Sequence, residues 1–490
     1  MKKLFKYLLL AITAIPFLIA CNKDYLSNNT DSYLDASLAI TNISNMRAAV
    51  NGLYSVFASS DYYGRTAVLL PDLMSDNVIQ SVQTGTRFTS YDRTGSAYIS
   101  SSDTYLTNLW QQLYVIVINA NTIINKAPDF KPVSLDSVEY RQLIGEAYTA
   151  RSLAYFDLAR YFCKSWSLDS IGIPIVLNSY PSDTSQITFP FRAKSVRLVY
   201  AQCLSDLDSA MLYLPAQGNV FNNRVIAQPS FRTRFNVVAA HGLAARINLY
   251  NQNYTNAIKY AKMVLADTRY HLLDTASIIN GFYTQSNSES IFEIANNQFN
   301  NQGSNSIAYI YNQNGYGEML ATRSLYDTAF NFSDQDPRRR FMIIGDRNSF
   351  GGEKNVPLPV KYININNYQE NIKILRLAEL YLIKAEAEAN LADNINAVAD
   401  LQSFVTLRNS STVVPDVTAT KKEIVTSILL ERRKEFCFEG HRLFDLKRTR
   451  SSFYKFRAGN TTLSLTGTRT RCTLQIPLTE RNRNPNLVPN

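Results

Sequence analysis

Apolar residues recur at helical spacing along most of the chain, and the segments that carry them are separated by polar stretches rich in Asn, Ser, Gly and Pro. Over 135–162, Leu143, Ala147, Ala150, Ala154, Leu158 and Tyr161 hold one face, while Tyr148, Tyr155 and Phe156 hold a second. Apolar character on two faces predicts a helix packed between neighbours. Further helices are predicted over 44–57, 104–126, 193–214, 235–250, 255–266, 372–391, 395–407 and 421–438.

Two of these segments end in a turn and restart in a similar way. In the run from Ile247 through Tyr250, Tyr254, Ala257 and Ile258 to Ala261, a helix closes in a short polar turn and the next begins with an aromatic and an alanine. This resembles the tetratricopeptide helical hairpin, in which small residues let two antiparallel helices approach and the ring fills the gap between them. A weaker copy runs from Ala387 through Leu391, Ile395 and Ala397 to Ala399. The expected fold is therefore mainly α: a tetratricopeptide-like helical-repeat scaffold whose stacked pairs bury a shared core, interrupted by long irregular insertions. Such insertions are where binding residues concentrate.

Both long insertions are rich in tyrosine, Asn, Gln and Ser. One spans 59–102 and carries Tyr62, Tyr63, Phe88, Tyr91 and Tyr98; the other spans 280–319 and carries Tyr283, Tyr309, Tyr311 and Tyr316. For any single ring, packing beneath a loop is the expected role. As a set, these nine are the candidate ligand-binding residues, because an amphipathic ring stacks on the apolar face of a sugar or on a peptide while its hydroxyl and nearby amides form hydrogen bonds. Trp110 and Trp166 are read as core, which leaves any stacking surface to tyrosine and phenylalanine.

The N-terminus changes the picture of where the protein works. Lys2, Lys3 and Lys6 precede a mainly apolar run from Leu8 to Phe17, and Leu18-Ile19-Ala20-Cys21 reads as a lipoprotein cleavage box. The apolar run is shorter than the roughly 20 residues that span a bilayer and contains Pro16. Residues 1–20 are thus expected to be a removed signal peptide, with Cys21 lipidated and 21–35 forming a tether. Residues 36–490 are expected to be one unit, with an N-terminal part (about 36–230) and a C-terminal part (about 231–490) sharing a helical core. Acyl chains contribute about 0.8 kcal/mol per buried CH₂, so anchoring would need no spanning segment.

Charge and chemistry narrow the function classes. The formal net charge is +10, of which the signal lysines supply three, and the arginine clusters are scattered without a long basic run, which argues against a nucleic-acid partner. Cys163, Cys203, Cys437 and Cys472 are far apart with no C-x-x-C spacing, and helical flanks favour small buried thiols over a disulfide framework. His241, His271 and His441 are the whole histidine complement, too few for a multi-histidine metal centre. There is no G-x-S-x-G elbow, P-loop or H-E-x-x-H. No catalytic residue, cofactor or metal is expected.

The most distinctive local pattern is the charged stretch from Glu431 to Arg448. Glu431, Glu435 and Glu439 fall at i, i+4 and i+8, on one face of a predicted helix, with Gly440 placed to end it. A metal or carboxylate site completed by His441 is one reading. The favoured reading is structural: an ion-pair network of Glu431, Glu435, Glu439, Arg442, Asp445 and Arg448, in which Glu431, Glu435 and Asp445 pair with arginines such as Arg432, Arg442 and Arg448.

Several segments together resemble the SusD/RagB-like family of outer-membrane nutrient-binding lipoproteins. They are the lipobox at Cys21, Asn51-Gly52-Leu53-Tyr54, Leu109-Trp110 with Leu113-Tyr114 and Asn119-Ala120-Asn121, and Ala150-Arg151 with Tyr155-Phe156-Asp157-Leu158. The run from Arg376 through Glu379 and Tyr381 to Ala387, the Glu431 to Arg448 stretch, and Ile476-Pro477 with Asn484-Pro485-Asn486-Leu487 complete the order. The resemblance covers essentially the whole chain. It implies an outer-membrane lipoprotein facing the cell exterior, with a tetratricopeptide-like base, that binds an oligosaccharide or, in some members, a peptide. It also implies a partner, a TonB-dependent barrel of the SusC type over which the lipoprotein sits as a hinged lid. The family is non-enzymatic, and its shared motifs transfer no ligand contacts. An envelope assembly scaffold without a small ligand is the alternative reading.

Overall fold

The computed structural model describes residues 40–81, 87–92, 99–129, 137–179, 188–216, 220–221, 224–225, 230–298, 300–331, 333, 335–347, 352–456, 462–466 and 472–489. Cys21, the expected lipidation residue, and the ring candidate Tyr98 lie outside this set, as does the expected tether.

Several helices begin at a capping side chain supplied by the polar stretch before them. Asn42 accepts the Asn45 N–H at 2.9 Å to open α1 (Ile43–Ala58). After α2 (Thr66–Leu73), Asp103 accepts from Leu106 at 3.1 Å at the start of α3 (Thr104–Lys126). The two-faced segment is α4 (Ser137–Phe162), buried along nearly its whole length between α3 and α5 (Val196–Tyr213). The two predicted hairpins are α6 (Val237–Tyr250) with α7 (Tyr254–Leu265), and α8 (Leu377–Asn390) with α9 (Asn394–Thr406); Asn253 and Asp393 cap the second helix of each. Helix α7 packs on α8, so the hairpins stack directly although more than a hundred residues separate them in sequence. Then α10 (Lys421–Glu435), opened by a Thr420/Glu423 capping box, and α11 (Arg442–Arg448) close the array. The fold is mainly α, and α4 with α5 form a further antiparallel pair beyond the two read from sequence.

Helix α2 carries Pro71 in its last turn, a position that removes the N–H due to the Ala67 carbonyl. The Tyr161 hydroxyl from α4 donates to that carbonyl at 2.8 Å instead. A proline that reads as a breaker in the sequence is thereby accommodated by a residue ninety positions away.

The segment 372–391 is not one helix. Ile372–Arg376 is a strand, paired antiparallel with Ser290–Ile294 in the register Ser290↔Arg376 and Ile294↔Ile372, and α8 begins only at Leu377. Every residue of both strands is buried, the ion-paired Glu293, Lys373 and Arg376 included, so neither face of this pair meets solvent. A shorter pair, Val78–Gln80 with Met319–Ala321, joins the first tyrosine-rich insertion to the second. The main hydrophobic core runs from Ile40 to Leu487, and a smaller one fills the space between α8, α9 and α10.

Candidate functional site

The short helix Ile307–Tyr311 and the Met319–Ala321 strand are linked by a tight return. Tyr316 N–H donates to the Tyr309 carbonyl at 2.8 Å and Glu318 N–H to that of Ile310 at 3.0 Å. A Cβ on Gly315 would lie 2.5 Å from the Tyr309 carbonyl oxygen, so only glycine lets the chain fold back this closely. The return stands the Tyr309 and Tyr316 rings edge to face at 4.8 Å, and Tyr368 packs 5.8 Å from Tyr309. Arg87 lies over the Tyr316 ring, 4.1 Å from its centre, and forms an ion pair with Glu318. Arg347 fixes the loop from behind by donating to the carbonyls of Gly317 at 2.9 Å and Tyr316 at 3.4 Å.

Tyr316 keeps 38% of its surface exposed and Tyr309 is half-buried, so this cluster presents ring edges and faces to solvent. The Arg87 charge over the ring is compensated by Glu318. Beside it, Phe88 stacks on Tyr105 at 4.4 Å with Arg65 over both rings, and Arg65 bonds Asn305 at 3.4 Å. Arg87 of the first insertion and the tyrosines of the second therefore meet on one surface, with Phe88 and Arg65 buried beside it. Arg87, Tyr105, Glu318 and Tyr368 belong to it and were not among the candidates; the available signal was the adjacency of Arg87 to Phe88 and the Asn-rich run around Tyr368.

The remaining candidate rings sit elsewhere. Tyr62 and Tyr63 are buried and both donate to Asp157 Oδ2, at 2.5 and 2.7 Å. Burial and then the Asp157 charge push the Tyr62 hydroxyl well above the usual phenol range. Tyr91 is buried with its hydroxyl on Asp103 at 2.5 Å, and Phe88 is buried beneath Arg65 and Tyr105. Tyr311 is buried against Tyr362 and Phe438. Half-buried Tyr283 donates to the Val360 carbonyl at 2.8 Å. Trp110 is core, whereas Trp166 is only half-buried.

The charged stretch departs from its predicted geometry in two ways. Helix α10 stops at Glu435, and Glu439 reaches the same interior through a turn in which Phe438 and Gly440 take positive φ (65° and 77°). A Cβ at Gly440 would meet the Ala67 carbonyl at 2.6 Å, so the glycine is sterically required. The partners also differ: Glu431 and Glu435 bond arginines from distant segments, not Arg432, Arg442 or Arg448. Arg338 reaches Glu431 at 2.7 Å and Glu435 at 3.2 Å; Arg376 and Arg408 bond Glu435 at 2.8 and 2.9 Å; Lys361 bonds Glu439 at 2.6 Å. The three guanidiniums override burial, which alone would raise it, and hold the Glu435 carboxyl well below its usual range. Asp445 does pair with Arg432 (2.9 Å) and Arg448 (2.7 Å), and Arg442 with Asp76 (2.8 Å). His441 stacks on Phe436 and is held neutral by burial and by the Arg246 and Arg432 charges, so it sits in a structural interior.

A stack of helical hairpins carrying an aromatic, amide-lined surface on its insertions defines a class of scaffolded binding proteins. Residues 24–249 match the SusD-like family described as "Starch-binding associating with outer membrane", and residues 288–490 match the SusD family. The chain belongs to the SusD/RagB-like family. It is 22% identical to SusD-like protein P25 of Formosa agariphila, over 91% of this chain and 90% of that protein. It superposes on a SusD superfamily protein of Bacteroides vulgatus with a TM-score of 0.80 at 24% identity, over 92% of this chain and 99% of the other. A SusD-like carbohydrate-binding protein of the same organism gives 0.75 at 20% identity, over 91% and 98%. Proteins of this family associate with the outer membrane, and among the described residues no helix is long and apolar enough to cross a membrane.

Proposed function

We propose that the protein is an outer-membrane lipoprotein, anchored through Cys21 and facing the exterior, that binds an oligosaccharide and delivers it to a SusC-like TonB-dependent barrel. Residues 36–490 act as one unit on the tether, and no catalytic step is assigned to it. The observation that carries the ligand reading is the Tyr309–Tyr316–Tyr368 cluster with Arg87 and Glu318 at its edge. Ring faces suit the apolar face of a pyranose, and the paired charges and neighbouring amides suit its hydroxyls. The carbohydrate-binding relative of the same fold supports the ligand class, and the family supports the barrel partner. Capture on a tethered surface would make transfer to the barrel effectively intramolecular.

The test has two parts. Isothermal titration of the mature protein against a panel of neutral and acidic oligosaccharides and peptides should give binding to an oligosaccharide that weakens when Tyr316 becomes alanine. Gentle detergent extraction with a C-terminal tag should recover a TonB-dependent barrel. Binding confined to peptides would replace the ligand class, and recovery of the lipoprotein alone would remove the barrel from the reading.

A further inference from the structure

A pocket lies within the helical array, apart from the tyrosine surface. It is half-open, about 300 Å³, and bounded by the α6–α7 turn, α8, the start of α10 and the end of α11. Four hydroxyl-bearing residues line it: Thr449, whose hydroxyl donates to the Asp445 carbonyl at 2.7 Å, and Ser165, Tyr250 and Tyr254. Ser165 is 5% and Tyr250 4% exposed, Tyr254 is half-buried, and among the described residues the hydroxyls of these last three have no hydrogen-bond partner. Hydroxyls that face a half-open pocket without a protein partner are available to hydrogen-bond a polar molecule that enters it.

The charges of the pocket identify that occupant further. Arg448, at its inner wall, is fully engaged: it forks onto Glu386, with one bond of 2.8 Å, and bonds Asp445 at 2.7 Å. Lys421 and Lys422, at its mouth, are exposed and form no ion pair with any described residue. They also stand in the first turn of α10, where the helix end adds partial positive charge. The walls thus supply hydroxyl and ammonium donors with no free carboxylate to balance them.

We propose that this pocket binds a small molecule of about monosaccharide size that carries an oxyanion, a carboxylate or a phosphate. Lys421 and Lys422 supply the charge, and Ser165, Tyr250 and Tyr254 supply the hydrogen bonds. This site is separate from the tyrosine surface and does not depend on the reading given to it.

The test titrates the full mature protein with glucuronate, glucose 1-phosphate and glucose in a phosphate-free buffer. At least one of the two anions should bind, and glucose should not. Lys421→Ala/Lys422→Ala should weaken that binding about tenfold, the scale of a charge-assisted contact. Tyr250→Phe should weaken it severalfold, and Tyr316→Ala should leave it unchanged. Both lysines are exposed, so an unchanged melting temperature certifies the double variant. Binding of only one anion supports the proposal and identifies the oxyanion. Absence of both, equal binding of glucose, or indifference to the lysine substitutions overturns it.

Discussion

Arg376 and Glu439 form a two-bond fork, with Nε donating to Oε2 at 2.8 Å and a terminal nitrogen to Oε1 at 2.7 Å. The fork joins the end of a buried strand to the turn after α10, with both side chains almost wholly buried. Arg376 also bonds Glu289 and Glu435, so it is the hub of the interior network. Removing one member of a buried pair leaves the other's charge without compensation, at a cost of about 3–5 kcal/mol. Arg376→Met should therefore lower the unfolding free energy by about that amount in urea titration. A loss below about 1 kcal/mol would mean the network contributes no more than a surface pair.

Two carboxyls in this region should give opposite pH dependences. Asp72 is raised to about 7, first by burial and against the bonds it accepts from Asn77 and Gly440; Lys361 and Glu439 are the charges facing it. The folded state then holds this proton more tightly than the unfolded chain, so its contribution is present below about pH 4 and is lost as pH rises to about 7. In Asp445, burial acts to raise the value, but the Arg432 and Arg448 charges prevail and hold it at about 2; its contribution is present above about pH 4 and lost below it. Asp72→Asn should accordingly gain on the parent protein as pH climbs from about 5 to about 8 in denaturant titrations. A constant difference across that range would show that Asp72 is ionised throughout.

The tyrosines should divide by position. Tyr316→Ala should cost about 1 kcal/mol in oligosaccharide binding, near the worth of one ring contact, and leave the melting temperature unchanged. Tyr62→Phe should do the reverse: it strips a hydroxyl from buried Asp157, which also serves Tyr63 and Arg160, and should destabilise the protein by about 1–3 kcal/mol. Titration calorimetry and thermal melts on the two variants separate the roles. A loss of affinity in both, or in Tyr62→Phe alone, would move the binding surface inward.

The helical scaffold was legible because its periodicity is local: α4, the α6–α7 hairpin and the capped helix starts each follow from residues within a few turns of one another. The strand at Ile372–Arg376 was not, because a short segment running straight into a helix carries too few residues to separate a strand's period from a helix's, and its partner at Ser290–Ile294 lies about eighty residues away. The turn that brings Glu439 back to Glu435's neighbourhood was hidden for a related reason: i+8 spacing is satisfied on paper by a helix that ends at i+4. On the candidate surface, Tyr309 and Tyr316 were readable as loop rings. Tyr62, Tyr63, Tyr91 and Tyr311 carry the same composition signal, but only distant partners such as Asp157 and Tyr362 decide that they pack inward.

The pairing of Tyr161 with the carbonyl freed by Pro71 offers a test of how one distant residue licenses another. With Pro71 in place, Tyr161→Phe leaves the Ala67 carbonyl buried without its bond, which should cost about 1–3 kcal/mol. Pro71→Ala restores an N–H four residues after Ala67, so the carbonyl regains a helical partner. Tyr161→Phe should then cost clearly less in the Pro71→Ala background. A double-mutant cycle on unfolding free energies should return a coupling of about 0.5–3 kcal/mol, as for residues that share a partner. A coupling near zero would mean that the carbonyl is satisfied by solvent and that the tyrosine is held at this position by its ring against Phe444 alone.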